Sequence, residues 1–173
     1  MRNLSYSVGH FEAESEGFRQ NNRRRRNVNN AFIQIQQSPD TSGLFEIRQS
    51  RLTAGSTRVF FFDEEEFTAD AIKDERSKES TYRIGLRHRL SPSTALIGTY
   101  AFRDFDDNLT FFDDSPQLLA ERTHSAEVRV IHADPRFSAT AGLGALRLRQ
   151  TTVPAVIPDT PTTNSQGSNG YIY

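Results

Sequence analysis

The residues able to do chemistry fall into charge runs. Arg23-Arg24-Arg25-Arg26 gathers four guanidinium groups, a set suited to phosphate or another anion through charge-assisted hydrogen bonds. Asp63-Glu64-Glu65-Glu66, followed by Asp70, supplies hard oxygen donors of the kind a divalent cation takes, but without EF-hand spacing. Asp104, Asp106, Asp107, Asp113 and Asp114 form a second acidic group. The histidines His10, His88, His124 and His132 show no metal-ligand spacing and read as structural or interfacial residues. Cysteine is absent, which removes disulfides, thiolate metal sites and a cysteine nucleophile. No Gly-x-Ser-x-Gly elbow occurs, and Gly142-Leu143-Gly144 lies within a strand pattern, with no helix after it to hold a phosphate. No catalytic, cofactor-binding or metal-binding residue is assigned, and an enzyme is not expected. The arginine run and the Asp63–Glu66 run read as charge clusters on surface loops, able to pair with one another across a barrel mouth.

The elements that must carry these residues are strands. The chain has 173 residues, one domain's worth, and a net charge of -1, which gives no field to attract nucleic acid. Mean hydropathy is -0.63, and no stretch approaches the roughly 20 apolar residues of a spanning helix. A strand with one apolar face needs an apolar residue only at every second position, so low overall hydropathy is compatible with spanning strands. The clearest alternation runs from Ser80 to Leu90, where Tyr82, Ile84, Leu86 and Leu90 interleave with Arg83, Gly85, Arg87 and Arg89. Similar patterns predict strands over 3–12, 28–37, 43–52, 94–104, 121–132 and 136–149, with an eighth starting near Gly170.

Three connections carry tight-turn chemistry: Ser38-Pro39-Asp40-Thr41, Ser91-Pro92-Ser93 and Ala133-Asp134-Pro135. Between them run long charged connections, 53–79, 105–120 and 151–168 among them. Residues 68–76, with Ala69, Ala71 and Ile72 against a charged side, suggest a short helix inside the first of these.

Short turns at one end and long loops at the other are the habit of transmembrane β-barrels, and so are strands of about 9 to 11 residues. The expected fold is therefore all-β: an antiparallel up-and-down transmembrane barrel, or a partial barrel of about eight strands with long extracellular loops, in one domain over 1–173. An arginine at the lipid-facing midplane costs about 2 to 4 kcal/mol. The charged parity must then face the lumen, which makes Arg83, Arg87, Arg89, Glu127, Arg129, Glu46 and Arg48 the lumen-facing candidates. Phe60, Phe61, Phe62, Tyr100, Phe102, Phe105, Phe111 and Phe112 gather toward the long-loop end, as an interfacial girdle would.

The stretch Tyr82-Arg83-Ile84-Gly85-Leu86-Arg87-His88-Arg89-Leu90-Ser91-Pro92-Ser93-Thr94-Ala95-Leu96-Ile97-Gly98-Thr99-Tyr100 resembles the recurrent hairpin of a bacterial family. Its members carry N-terminal tetratricopeptide repeats and a C-terminal outer-membrane barrel similar to those of TonB-dependent receptors. Tyr6 to Glu12 with Gly17 to Asn22, Phe61-Phe62-Asp63 with Phe67, and Asn169 to Tyr173 resemble the same barrel. The resemblance implies a bacterial outer-membrane location, contact with lipid and lipopolysaccharide, and a role in passage or secretion of a solute or polymer; it supplies no catalytic residue. No tetratricopeptide repeat or plug is present. Met1-Arg2-Asn3-Leu4 begins no export signal, and the last strand stops mid-pattern, so the chain is expected to be a piece of a longer protein. Three other readings remain open: a soluble β-sandwich or lipocalin-like binding module, a surface anchor whose barrel only displays its loops, and a truncated reading frame with no stable fold.

Overall fold

The computed structural model describes residues 3–18, 21–55, 72–111, 114–154 and 161–173. They form eight strands in one antiparallel sheet: β1 (Asn3–Ser15), β2 (Arg24–Gln36), β3 (Thr41–Ala54), β4 (Ile72–Ser91), β5 (Thr94–Phe111), β6 (Pro116–Ala133), β7 (Ser138–Val153) and β8 (Thr163–Ile172). Each strand pairs with its sequence neighbours, in the order β1 through β8. The sheet is not closed: β1 and β8 are its two edges. This is the up-and-down all-β arrangement that the alternation predicts, and an open sheet of this kind is consistent with part of a barrel. No helix occurs among the described residues.

The three tight turns form where their residue types call for them. Ser38 Oγ accepts the backbone N–H of Thr41 at 3.0 Å, and Gln37 N–H donates to the Thr41 carbonyl at 3.0 Å. In the β6–β7 turn, Asp134 Oδ1 accepts the N–H groups of Arg136 and Phe137 at 2.7 and 2.8 Å, while Asp134 N–H donates back to the Phe137 carbonyl. These side-chain bonds stand in for missing backbone partners, which is why Ser and Asp before proline mark such turns. The β4–β5 connection is only Pro92 and Ser93.

The strands run further than hydrophobic alternation indicates, and several expectations are corrected. Residues 105–111 and 116–120 belong to β5 and β6, so the expected long connection shrinks to 112–115. Residues 72–79 lie in β4; the expected helix over 68–76 is strand from Ile72 onward, and 68–71 lie outside the described residues. β7 reaches Val153 and β8 begins at Thr163, not Gly170. Arg24, Arg25 and Arg26 are in β2, not in a loop, with Arg23 just before it. The β7–β8 extension pairs polar residues, Arg149 with Gln166 and Thr151 with Asn164; the other three share a reason. In these upper parts of the strands, charged residues alternate with other polar ones and sit across from complementary groups, as Lys78 opposite Asp106 and Arg122 opposite Asp104 do. Cross-strand charge pairing supports the sheet where the apolar stripe of the lower strands ends.

Candidate functional site: the two faces of the sheet

Register sorts the side chains into two faces, because successive residues of a strand point to opposite sides. Toward the tight turns, one face carries an apolar band. Leu4, Ile35, Gly43, Leu86, Gly98, Val128, Leu143 and Ile172 form one cross-strand row; Tyr6, Ile33, Phe45, Ile84, Tyr100, Ala126, Ala145 and Gly170 form the next. The row above continues with Val8, Ala31, Ile47, Tyr82, Phe102 and His124. These side chains are open to the surroundings: Val8 is 79% exposed, Leu86 55% and Val128 45%. Among the described residues, Ala54 is the one buried apolar side chain.

The other face is crowded. Along β6, Glu121, Thr123, Ser125, Glu127, Arg129 and Ile131 are half-buried, while the alternate residues from Leu118 to Val130 are exposed. Glycines report the same asymmetry. A Cβ at Gly9, Gly85, Gly142 or Gly144 would strike the side chains of Asn30, Leu44, Tyr173 and Tyr171 respectively. All four belong to the crowded parity; Gly167, on the same parity of the edge strand β8, is the exception and would meet nothing within 4 Å. On the open parity, a Cβ at Gly98 would meet nothing within 4 Å, and those at Gly43 and Gly170 only ordinary neighbours. A sheet that crowds one face and opens the other is curved, with the crowded face concave. The apolar band is therefore on the convex side.

Every lumen candidate lies on the concave parity: Arg83, Arg87, Arg89, Glu127, Arg129, Glu46 and Arg48. They are not one cluster. Arg83 donates to Glu46 across β3 and β4 at 3.0 Å. Arg89 lies 3.8 Å from Asp40 in the β2–β3 turn. Glu127 accepts the hydroxyls of Tyr171 and Tyr173 at 2.9 and 2.8 Å, with Arg129 at 3.9 Å. The two tyrosines reach across β7 because Gly144 and Gly142 leave room for their rings. Arg48 faces Asn30 and Thr81, and Arg87 faces Ser42 and Ile97.

Sequence reading missed a central group. Arg103 on β5 bridges Glu79 on β4 and Glu121 on β6, at 3.1 and 2.5 Å, and its guanidinium lies 4.8 Å from the Phe105 ring centre. Extending the period of β4 by two residues toward Glu79 would have exposed this triad. Tyr171 and Tyr173 were also missed, since their role depends on the register of three strands.

The surface clusters resolve differently. Arg25 binds Glu12 on the convex side, and Arg23 lies 3.5 Å from Asp74; Arg24 and Arg26 are on the concave parity. Asp104 and Asp106 are convex, Asp107 concave, and Asp114 pairs with Lys73. The run Asp63, Glu64, Glu65, Glu66, with Asp70 and Asp113, lies outside the described residues. Among the described residues no three His, Asp or Glu side chains gather as a metal site.

The aromatics divide as well. Tyr82, Tyr100 and Phe102 cap the convex apolar band, with Tyr82 stacked on Phe102 at 6.1 Å and Phe102 tilted on His124 at 4.8 Å. Phe105 is on the concave parity and leaves the expected girdle. Phe60, Phe61, Phe62 and Phe112 are outside the described residues.

Above the aromatic row the convex face changes character in every strand. His10, Asn29, Gln49, Ser80, Asp104, Arg122, Arg149 and Gln166 make the next row. On the concave side, apolar residues appear at the same heights: Phe11, Val28, Leu52, Leu109 and Leu119. No family model, curated protein or solved structure matches the chain.

Proposed function

We propose that this chain is wall of a bacterial outer-membrane β-barrel, with the convex band toward lipid and the concave face toward a polar lumen through which a solute or polymer passes. One observation carries the reading: the convex face is apolar and exposed along the turn-proximal half of the strands, and turns polar along the other half apart from the Leu118–Val153 pair. Water gives no reason to display Tyr6, Val8, Ile84, Leu86, Val128 and Leu143 together, because apolar patches beyond a few hundred Å² mark an interaction or membrane surface. On β4 and β7 the band runs from Leu90 to Tyr82 and from Phe137 to Ala145. At about 3.3 Å rise and a tilt of about 40°, such a run stands roughly 20 Å tall, close to the roughly 25 Å apolar belt of outer-membrane barrels.

The lower edge of the sheet supports the tilt. Measured against the cross-strand rows, the tight turns step down by two residues from Thr41 to Thr94 and by one more to Ser138. A stagger of about one residue per strand is the shear that tilts strands by about 36° in a closed barrel. In this reading the lumen charges set selectivity passively: Arg83–Glu46, Arg129 beside Glu127, and the Glu79–Arg103–Glu121 triad present both signs, and no residue does covalent chemistry. The open edges of β1 and β8 must be paired for the wall to be complete in lipid, since unpaired backbone groups are not tolerated there. Closure of the sheet on itself, further copies of this chain, or further strands of a longer chain, including one bearing tetratricopeptide repeats, would serve.

Circular dichroism and heat-modifiable gel migration of the purified chain, in detergent micelles and in plain buffer, test the reading. The expected result is β signal and a compact, heat-sensitive band in detergent only. A cooperative β fold in buffer would replace the reading with a soluble binding module.

A further inference from the structure

At the top of the convex band, β6 and β7 bring four basic side chains together. Arg122 stands directly opposite Arg149, and His124 directly opposite Arg147. Like charges directly opposite one another across a sheet are destabilising. Asp104 answers one of them, at 3.1 Å from Arg122. Arg147 and Arg149 contact no carboxylate among the described residues, although the polar rows elsewhere pair Arg25 with Glu12 and Arg76 with Asp74. His124 is already held by Tyr100, whose hydroxyl lies 2.8 Å from Nδ1.

Immediately below this block the convex face is hollow. Ala126, Ala145 and Gly170 occupy one cross-strand row, so three small residues lie side by side. They floor a depression of about 410 Å³ walled by Tyr100 and His124 on one side and reaching Arg147 at its upper end. Its floor continues downward through Val128, Leu143 and Ile172, all exposed. A trough with apolar walls, closed at the polar boundary by guanidinium groups that contact no carboxylate among the described residues, complements the shape and charge of an anionic lipid.

We propose that this trough binds one molecule of a phospholipid of net negative charge, with an acyl chain along Ala126, Ala145 and Gly170 and the headgroup phosphate at Arg147 and Arg149. Arginine forks suit phosphate oxygens, and the phosphate relieves the Arg122–Arg149 repulsion. The site rests on the convex face being the lipid face, and a bilayer lipid, not a free anion, is its occupant because the trough below the arginines is apolar.

The test uses the full chain reconstituted in phosphatidylcholine vesicles containing a minor fraction of phosphatidic acid, with flotation to follow membrane insertion and native mass spectrometry to count retained lipid. Wild type should retain phosphatidic acid over phosphatidylcholine. The R147Q/R149Q variant should float equally well and lose that preference by about thirtyfold, each charge at an anionic surface counting for about fivefold. Ala145→Phe, which fills the trough and leaves the arginines in place, should lose it too, while Arg51→Gln, in the polar zone of β3, should keep it. Retention by R147Q/R149Q equal to wild type would overturn the site, as would displacement of the lipid by excess inorganic phosphate. A wild-type chain that does not float would instead overturn the membrane reading on which the site depends.

Discussion

The two halves of this sheet follow opposite burial rules. Near the tight turns, the convex side holds Leu4, Tyr6, Ile84, Leu86, Val128 and Leu143, and the concave side holds Arg83, Arg87, Glu127 and Arg129. Toward the other end, the convex side holds Glu12, Arg25, Arg51, Lys78 and Asp106, and the concave side takes in Phe11, Val28, Leu52, Leu109 and Leu119. The backbone and its pairing do not change between the halves; in the proposed reading the solvent outside the convex face does. The upper half resembles a water-soluble sheet that turns its apolar side inward, and the lower half is the inversion expected in lipid. The boundary lies between Ser80 and Tyr82 on β4 and between Asp104 and Phe102 on β5.

The largest effect comes from placing charge on the wrong side of that boundary. Ile84→Arg should cost about 2 to 4 kcal/mol in urea titrations of the chain folded into vesicles, whereas Ser80→Arg, two residues higher on the same face, should cost about 0 to 1 kcal/mol. Equal costs would erase the boundary.

Next is the packing difference between the faces. Gly144→Val would drive a side chain into the Tyr171 ring on the concave face and should cost about 1 to 3 kcal/mol, as overpacking does. Gly98→Val opens onto empty convex space. It should be close to neutral or mildly stabilising in the same titration.

Removing the bridging cation sharpens the account of the concave face. Arg103→Gln leaves Glu79 and Glu121 facing each other without their shared donor and should cost about 1 to 2 kcal/mol at neutral pH, at the low end for charged hydrogen bonds because the group is partly exposed.

The smallest effect is in the β6–β7 turn. The N–H groups of Arg136 and Phe137, and then the His132 ring, hold the Asp134 carboxyl below its usual range. Its folded pKa lies below the unfolded value of about 3.9. The stabilisation is therefore present above that value and fades as pH falls through the lower folded one. Asp134→Ala should be less stable than wild type at neutral pH, and the gap should narrow in strong acid. A gap independent of pH would assign the turn's stability to Pro135 and backbone geometry instead.

Parity was legible in the residues and strand length was not. Strict alternation from Tyr82 to Leu90 assigns faces, and a one-residue slip would reverse them all, so register is tightly held. That alternation ends at the polar boundary, where Lys78, Glu75 and Asp106 give no hydrophobic period, so the upper halves of β4, β5 and β6 read as loops. The arginine run misled for the same reason: Arg25 is a strand residue whose partner, Glu12, is on the neighbouring strand. Ser38 and Asp134 announced their turns through local chemistry. The Glu127–Tyr171–Tyr173 group was invisible because it requires Gly142 and Gly144 to lie between β6 and β8, a fact of register alone.

The most direct test is an accessibility scan of β4, made simple by the absence of native cysteine. Single cysteines from residue 76 to 88, spin-labelled in vesicles, would be probed with oxygen, which concentrates in lipid, and with a water-soluble nickel reagent. The account predicts that convex positions 76, 78 and 80 meet the nickel reagent and positions 82, 84 and 86 meet oxygen, while concave positions 77, 79, 81, 83 and 87 remain water-accessible. Uniform nickel accessibility on both faces, or oxygen accessibility on the concave side, would contradict it.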